Sequence, residues 1–462
     1  MSLAFARKIR VVTVLFVTSL FLVSALLGTS ESSEQNVLRL SLEEAIELAI
    51  AESETVMQSG NDITKSGYRR SEAISAALPH VNADVGYNYY PKVQTVDMVM
   101  PGAGPISVEL KDDFDMTTSV TLEQPIYTFG KIHNAIRAAT IAREVSRFSK
   151  DAVEREVSYE TAKAYITVLL AQEALKIARE SYNNAESTRA ILDERFAMGR
   201  VPKSDGIKAQ ADVAARVPVL KESESDLDLA MRHLKRLVGA QESQKVILTD
   251  ALARRFPRYD ADAALADMFE IEPRLKLLDR TIDLNAAIAK KEKAQYFPTI
   301  GAFANYTLFG QSNNAWIGSK NLQNLGAIGL NIRVPIWNGN KTWAVYQQAL
   351  IDKANAELSL RRANRDLELE LRNAISEYDS MLATYRANQE AVRLSRESFQ
   401  AQQDSFRAGS KTLTDLNDAE MQLTRNRLNE AVTLYKINSS IASIERLISG
   451  GGEKSWKSRV AQ

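Results

Sequence analysis

The feature that most constrains the fold of this chain is an internal duplication of its sequence. Three short anchors of the first half recur in the second half in the same order, at offsets of 219, 210 and 210 residues. The anchor pairs are Ala77-Leu78-Pro79 with Tyr296-Phe297-Pro298, Gln124-Pro125-Ile126-Tyr127 with Val334-Pro335-Ile336-Trp337, and Arg195-Phe196-Ala197-Met198-Gly199 with Ser405-Phe406-Arg407-Ala408-Gly409. Because internal repeats mark repeated structural units, the sequence predicts two similar units in one chain.

Each half is predicted to run helix, strand, loop, strand, long helix, turn, helix. The predicted helices lie near 42–77, 128–197 and 203–237 in the first half, and near 262–296, 341–407 and 412–448 in the second. The predicted organisation is a first structural repeat (31–239), an equatorial linker (240–260) and a second structural repeat (261–449). The fold class is therefore mainly α with a small β part.

The predicted strands are short and alternate between apolar and polar residues. They lie near 81–90, 116–124, 299–309 and 326–334, separated by predicted loops near 92–114 and 310–324 that carry Gly, Pro, Asn and Ser. One-sided alternation over about ten residues is typical of a membrane β-strand, and it is equally typical of any half-buried strand. Aromatic residues near these strands are candidates for a membrane interface or for ordinary strand packing: Tyr87, Tyr89, Tyr90, Tyr306 and Trp316.

The lengths of the helices argue for an assembly rather than a compact domain. At about 1.5 Å per residue each long helix spans roughly 100 Å, and two shorter helices placed end to end match one long helix. Residues of the second long helix also step by four and three in alternation, namely Leu367, Leu371, Ala374, Tyr378, Met381 and Tyr385. This 3.5-residue period predicts helices wound around one another, which by itself also fits a soluble coiled coil.

The number of strands limits how they can enter a membrane. Four strands are too few for a closed barrel, because the smallest single-chain barrels have about eight. An open barrel would leave backbone groups unpaired in lipid, each costing several kcal/mol. If these strands are in a membrane, several chains must therefore share one barrel, and three chains supply twelve strands.

The two ends of the chain are predicted to lie outside the repeats. Arg7, Lys8 and Arg10 precede an apolar run, and small residues follow near 28–32. This pattern predicts a signal peptide over residues 1–30, with a retained membrane anchor as the alternative. Residues 450–462, which begin with three glycines, are predicted to form a disordered tail.

The sequence shows no sign of catalytic or metal chemistry. There is no cysteine, and His80, His133 and His233 are not at metal-ligand spacing. Phosphate-binding loops and nucleophile motifs are also absent from the sequence. The 58 basic and 58 acidic residues balance, so nucleic acid is not expected as a partner. We therefore predict a protein that is not an enzyme, with no cofactor, no metal and no catalytic residues.

The ordered anchors and the duplicated layout resemble the outer-membrane efflux protein family, the TolC-like channels. The resemblance covers nearly all of the chain after residue 30. It rests on Pro125-Ile126-Tyr127 and Pro335-Ile336-Trp337, which resemble the family's junctions between a strand and a long helix, and on the turns at Gly199 and Gly409. It implies a homotrimer in the Gram-negative outer membrane, in which each chain adds one third of a 12-stranded transmembrane β-barrel above an α-helical barrel in the periplasm. It also implies contact with outer-membrane lipid, a periplasmic adaptor (membrane fusion) protein and an inner-membrane pump.

The same resemblance implies functions for residues at the turns. Asp415 and Asp418 match the family's carboxylates at the periplasmic entrance constriction, and a spacing of three places both on one helix face. The alternative is that they are solvated acids near a helix start, where the helix dipole favours them. Gly199 and Gly409 match the hairpin-tip turns at which partners dock.

A possible gate latch is implied at Asp205, Phe406 and Lys411, which match positions of polar links between the helical hairpins. Phe406 stands where the family example has tyrosine, so it has no hydroxyl to contribute. Lys411 can pair with Asp205 but lacks the bidentate geometry of arginine.

The function predicted from the sequence is a passive, gated conduit of a tripartite efflux or type I secretion system. Two alternatives stay open at this point. The chain could be a periplasmic coiled-coil adaptor, although one helical hairpin per chain is usual there, or a structural coiled-coil protein of the envelope.

If the latch operates, replacing Lys411 with alanine should raise the ion conductance of the protein in a planar bilayer, because an inter-hairpin link is lost. An unchanged conductance would rule out the latch.

Overall fold

The computed structural model describes residues 37–93, 95–102, 104–109 and 111–449. The predicted signal peptide (1–30) and the predicted tail (450–462) lie outside the described residues.

The helices repeat the same order in the two halves, as the sequence predicts. In chain order they are α1 (Leu42–Glu52), α2 (Glu54–Ser75), α3 (Lys131–Ala197), α4 (Lys203–Leu237), α5 (Ala261–Ile271), α6 (Pro273–Lys293), α7 (Lys341–Arg407) and α8 (Leu413–Ile448). Helices α3 and α7 have 67 residues each, so each spans roughly 100 Å at about 1.5 Å per residue. Among these described helices, none is apolar over enough residues to span a bilayer.

The helices predicted over 42–77 and 262–296 are each broken in two, which corrects the sequence-based prediction. The breaks lie at Ser53 and Glu272, whose backbone angles are nearly the same (φ −68°, ψ 117° and φ −60°, ψ 116°). The Ser53 side chain caps α2 by accepting a hydrogen bond from the backbone N–H of Val56. Pro273 disfavours a helical conformation for the preceding Glu272. The breaks are 219 residues apart and thus repeat with the duplication.

Four strands form one antiparallel sheet in the order β2 (His80–Tyr89), β5 (Phe114–Tyr127), β7 (Thr299–Ser312), β8 (Leu322–Arg333). Their helix-connected ends all lie at one end of the sheet, because β2 follows α2, β5 precedes α3, β7 follows α6 and β8 precedes α7. Strand β5 continues through Tyr127 with an irregularity after Pro125. The predicted corner at 125–127 is therefore part of the strand, and α3 begins at Lys131 rather than near 128.

The register of the sheet gathers apolar side chains on one face across all four strands. Val81 lies opposite Leu122, Leu122 opposite Ala304, and Ala304 opposite Ile328. The neighbouring pairs of the other face carry polar groups, as where Asn82 lies opposite Thr121 and Thr121 opposite Asn305. The exposed apolar residues of the first face are Val81, Val85, Tyr87, Tyr89, Val120, Leu122, Tyr306, Ile328, Leu330 and Ile332.

A second correction concerns the predicted loop near 92–114. It contains a two-stranded antiparallel sheet, β3 (Thr95–Met100) with β4 (Gly104–Glu109). Gly102 and Gly104 have φ values of +95° and +78°, and this left-handed backbone lets the chain reverse between the strands. The glycines and proline that indicated a loop are thus the turn of a hairpin, flanked by alternating apolar residues.

The middle of the molecule holds two cores that correspond to the two repeats. One packs α1 against α3, with a parallel pair of β1 (Val37–Leu40) and β6 (Lys245–Leu248) at its side. The other packs α5 against α7 and α8, and it includes or contacts every residue of the predicted heptad. Both cores therefore lie where a broken pair of short helices passes a long one.

The chain segment that joins the repeats is held to α7 and α8 by buried polar groups. The Asn438 amide accepts from Ala253 N (3.1 Å) and donates to Ala253 O (3.2 Å). The Tyr378 hydroxyl donates to Pro257 O at 2.7 Å. Such contacts satisfy backbone groups that the irregular segment would otherwise leave unpaired.

Candidate functional site

The candidate site lies where the two helical hairpins end together. We call α3–α4 hairpin 1, α7–α8 hairpin 2, and their adjoining ends around Gly199 and Gly409 the tip. Both turns have the same hydrogen bonds: Gly199 N donates to Phe196 O and Arg200 N to Arg195 O, while Gly409 N donates to Phe406 O and Ser410 N to Ser405 O. This is the Schellman arrangement, in which a left-handed residue ends the helix.

The two turn glycines are required by their backbone conformation. Gly199 has φ +70° and Gly409 has φ +82°, a region that side chains with a Cβ rarely adopt. A Cβ at either position would meet nothing within 4 Å, so conformation rather than space selects glycine. The motif that the sequence repeats thus gives two turns of the same shape.

The two predicted entrance carboxylates differ in their surroundings. Asp415 is engaged by Thr412, the N-cap residue just before its helix, because its carboxylate accepts hydrogen bonds from Thr412 N (3.1 Å) and Thr412 Oγ1 (2.8 Å). These hydrogen bonds from Thr412 lower the pKa of the Asp415 carboxyl, and the positive charge of Lys411 adds to the effect. Asp418 is exposed one turn further along α8. Both acids therefore follow the turn of hairpin 2, and Asp418 is the more exposed of the two.

Phe406 lies in an apolar cluster that joins the two hairpins. It is buried together with Leu192 of α3, Ala209 of α4 and Leu416 of α8. Burying a phenylalanine ring contributes about 1.5–3 kcal/mol relative to leaving it exposed. A residue of the predicted latch thus connects the hairpins by apolar packing, without a hydroxyl.

Arg195 of hairpin 1 adds a polar link at the same level. Its guanidinium donates to Phe406 O at 3.1 Å and to Arg407 O at 2.7 Å, the last carbonyls of α7. It also lies 5.2 Å from the centre of the Phe406 ring. A cation at a helix C-terminus is favourable because carbonyl groups there lack helical partners and the dipole is negative.

A buried ion pair joins the hairpins further from the tip. Arg216 of α4 lies 2.6 Å from the Glu420 carboxylate of α8, and both side chains are largely buried. Arg216 also contacts Asp212 at 3.2 Å and the hydroxyl of Ser181 on α3. Burial raises the pKa of the Glu420 carboxyl, and the charge of Arg216 only partly opposes this. The pair thus brings together three helices from both repeats.

The predicted pair of Lys411 and Asp205 is not formed within one chain. Among the ion pairs of the described residues, these two side chains are not joined to each other. Lys411 is exposed and Asp205 half-buried, each just beyond its own turn. The latch therefore stays a prediction that concerns the assembled protein.

Sequence reasoning missed Arg195, Arg216 and Glu420. Charged residues on long amphipathic helices ordinarily face solvent, and the sequence alone does not indicate which helix packs beside which. One signal for the burial of Arg216 was available in the sequence. Ala209 and Val213, a small and an apolar residue, lie on the same face of α4 as Arg216, and both are buried.

The sequence of this chain matches one protein family and several known proteins. The family described as outer membrane efflux protein matches residues 45–240 and 273–450. The alkaline protease secretion protein AprF of Pseudomonas aeruginosa is 25% identical over 344 residues, covering 70% of this chain and 68% of AprF. The outer membrane protein TolC of Vibrio cholerae is 23% identical over 378 residues, 81% of this chain and 82% of that protein.

Among solved structures, that of CusC superposes with a TM-score of 0.74, covering 89% of this chain and 92% of CusC at 15% identity. At this identity the likeness concerns the fold alone.

The buried ion pair predicts a graded mutational series. Arg216→Met should destabilise the folded protein by about 3–5 kcal/mol, because Glu420 stays buried without its cation. Glu420→Gln should destabilise the folded protein clearly less than Arg216→Met, since burial already disfavours the charged form of the Glu420 carboxyl. The measurement is thermal unfolding of the purified protein in detergent, followed by circular dichroism of the helices.

Arg232→Met is the matched control on the same helix, because its ion pair with Asp228 is exposed and such pairs contribute little. Equal losses of stability for Arg216→Met and Arg232→Met would show that the buried pair contributes no more to stability than an exposed one.

Proposed function

This chain belongs to the outer membrane efflux protein family, and from that premise we propose how its parts carry out export. It is an outer-membrane channel subunit of a Gram-negative cell, a homotrimer that works with a periplasmic adaptor and an inner-membrane pump in efflux or type I secretion. The adaptor and the structural envelope protein are thereby set aside as alternatives.

The observation that carries the proposal is the four-stranded sheet with one continuous apolar face. Its outer strands, β2 and β8, each leave one side of the backbone unpaired within the described chain. In lipid such edges cost several kcal/mol per unpaired group. Pairing β8 of one chain with β2 of the next closes twelve strands from three chains, and the apolar face then meets lipid while the polar face lines the lumen.

The organisation of the chain follows from this assembly. We propose that residues 31–239 and 261–449 are the two repeats, that 240–260 is the equatorial linker, and that residues 1–30 direct export. The long helices carry the conduit away from the membrane, and the tip is its far end. The relatives are channel proteins, and we propose that this chain likewise has no catalytic step and no cofactor, the energy coming from the pump.

The tip is proposed to act as the gated entrance. Three copies of Asp415 and Asp418 would form two rings of carboxylates, which in a narrow pore bind and select cations. Within each chain Phe406, Arg195 and the Arg216–Glu420 pair join the two hairpins. Opening by separation of the hairpins must break these contacts, whereas opening by movement of whole subunits leaves them intact.

The docking of the adaptor is proposed at the turns. Gly199 and Gly409 shape the ends of the hairpins, and Phe196 and Met198 are about half exposed beside the first of them (48% and 53%). Exposed apolar side chains at a rigid turn are suited to burial against a partner.

The function predicts an outer-membrane trimer. We expect the protein in the outer-membrane fraction, running on a gel as a trimer that dissociates on heating, and forming conducting channels in planar bilayers. A monomer that stays in solution without detergent would contradict the proposal.

The entrance rings predict a change in ion selectivity. Asp418→Asn should lower the preference of the channel for cations and weaken block by divalent cations added on the tip side, because three carboxylates are removed at once. Reversal potentials in a salt gradient measure this. Asp226→Asn, an exposed acid far from the tip on α4, is the control. Equal effects of both variants would exclude a specific role for Asp418.

A further inference from the structure

The hairpin of β3 and β4 presents an apolar face that its own chain does not cover. We call residues 95–109 the apical hairpin. Its register places Val96 opposite Val108 and Met98 opposite Ile106, so these four side chains share one face. They are 40–52% exposed. The opposite face is mixed: the Ser107 hydroxyl donates to Asp97 there, and Val99, on the same side as Asp97, is exposed.

This hairpin needs a partner to be stable. Its two strands form a sheet of their own, separate from the sheet of β2, β5, β7 and β8. An isolated two-stranded hairpin is marginally stable in water, and an exposed apolar face adds to that cost. The sequence nevertheless keeps apolar residues at alternate positions on both strands, which is typical of a face that becomes buried.

The hairpin lies beyond the lipid-facing part of the sheet. It connects β2 to β5 at the end of the sheet that is remote from the helices. Tyr87, Tyr89 and Phe114 lie at that end, with the rings of Tyr89 and Phe114 stacked at 4.7 Å. Aromatic residues at a barrel end mark the membrane interface, so a hairpin that begins after them projects into water.

The root of the hairpin is held firmly. Buried Asp115 accepts from Asn88 Nδ2 (2.7 Å), from the Tyr90 hydroxyl (2.8 Å) and from Lys111 Nζ (2.9 Å). The Lys111 ammonium also lies 4.2 Å from the centre of the Tyr90 ring. This network joins the end of β2 to the start of β5, next to the apical hairpin.

The dimensions allow three such hairpins to meet. Strands of six residues reach about 20 Å at roughly 3.3 Å per residue. Twelve tilted strands about 4.8 Å apart enclose a barrel with a radius of roughly 12 Å. The equivalent connection of the second repeat, 313–321, contains no strand, so a trimer has three apical hairpins around its axis.

We propose that the apolar faces of the three apical hairpins pack against one another over the axis and close the extracellular mouth of the channel. The partner of each hairpin is the same hairpin of the other two copies. This inference rests on the proposed trimer and adds a second constriction at the end opposite the tip.

Single-cysteine cross-linking tests the contact, and the chain has no cysteine of its own to interfere. Met98→Cys and Ile106→Cys should give disulfide-linked dimers of subunits when intact cells are oxidised. Asp97→Cys, on the opposite face of the same strand, is the control and should give few. Cross-linking at Asp97→Cys equal to that at Met98→Cys would overturn the proposal.

Conductance gives an independent readout. A double variant, Met98→Asp with Ile106→Asp, should raise single-channel conductance by about twofold or more, because like charges keep the hairpins apart. A trimer that conducts normally, forms no cross-links and keeps its conductance in the double variant would refute the closure while leaving the channel function intact. A protein that forms neither trimers nor channels would instead refute the proposed function.

Discussion

The constraint on which the structure depends is the pairing of backbone groups at the edges of a small sheet. Four strands with one apolar face can be stable in lipid only if both edges are paired, and one chain does not pair them. The assembly of three chains follows, and with it the circular arrangement of the helices below. The long helices are then the walls of a shared tube, and their buried apolar residues form separate clusters near the middle, at the tip and near the start of α3.

The duplication supplies two hairpins of equal length, but the contacts between them are not symmetric. Arg216 and Glu420 correspond, 210 residues away, to Asn426 and Gln210, so the repeat carries amides where the ion pair would recur. Arg195 likewise corresponds to Ser405. The Arg216–Glu420 pair and the Arg195 link therefore have no counterpart at the positions related to them by the duplication. Burying such a pair costs desolvation, which is consistent with a role in specifying how the hairpins align.

Much of this fold could be predicted from the sequence, because the duplication, the long helices and the strand alternation are local patterns. The lengths of α3 and α7 and the membership of the heptad in the core of the second repeat agree with the prediction. The breaks at Ser53 and Glu272 were missed because the apolar pattern continues across both positions. A serine, or a glutamate before a proline, can also stand near the start of a helix, so neither residue by itself indicates a break. The apical hairpin was missed because its turn residues are those of a loop.

The candidate site was predictable only in part. Gly199, Gly409, Asp415 and Asp418 stand at turns, where spacing along the chain is informative. Arg195, Arg216 and Glu420 act between helices that are distant in sequence, and their partners depend on a packing that no local pattern encodes. Lys411 and Asp205 do not pair within one chain, so a contact between them would depend on the assembled protein, which local sequence patterns do not describe.

The parallel pair of β1 and β6 has a consequence for the order in which the chain folds. It ties residues 37–40, near the start of the first repeat, to residues 245–248 of the linker that follows it, so that the beginning of the first repeat and the segment just after its end lie side by side. The core beside it draws mainly on α1, α3, α4 and these two strands, and Leu252 of the linker and Tyr435 and Ala442 of α8 complete it. Because most of these contacts lie within residues 37–248, we expect this core to begin to form before the second repeat has folded.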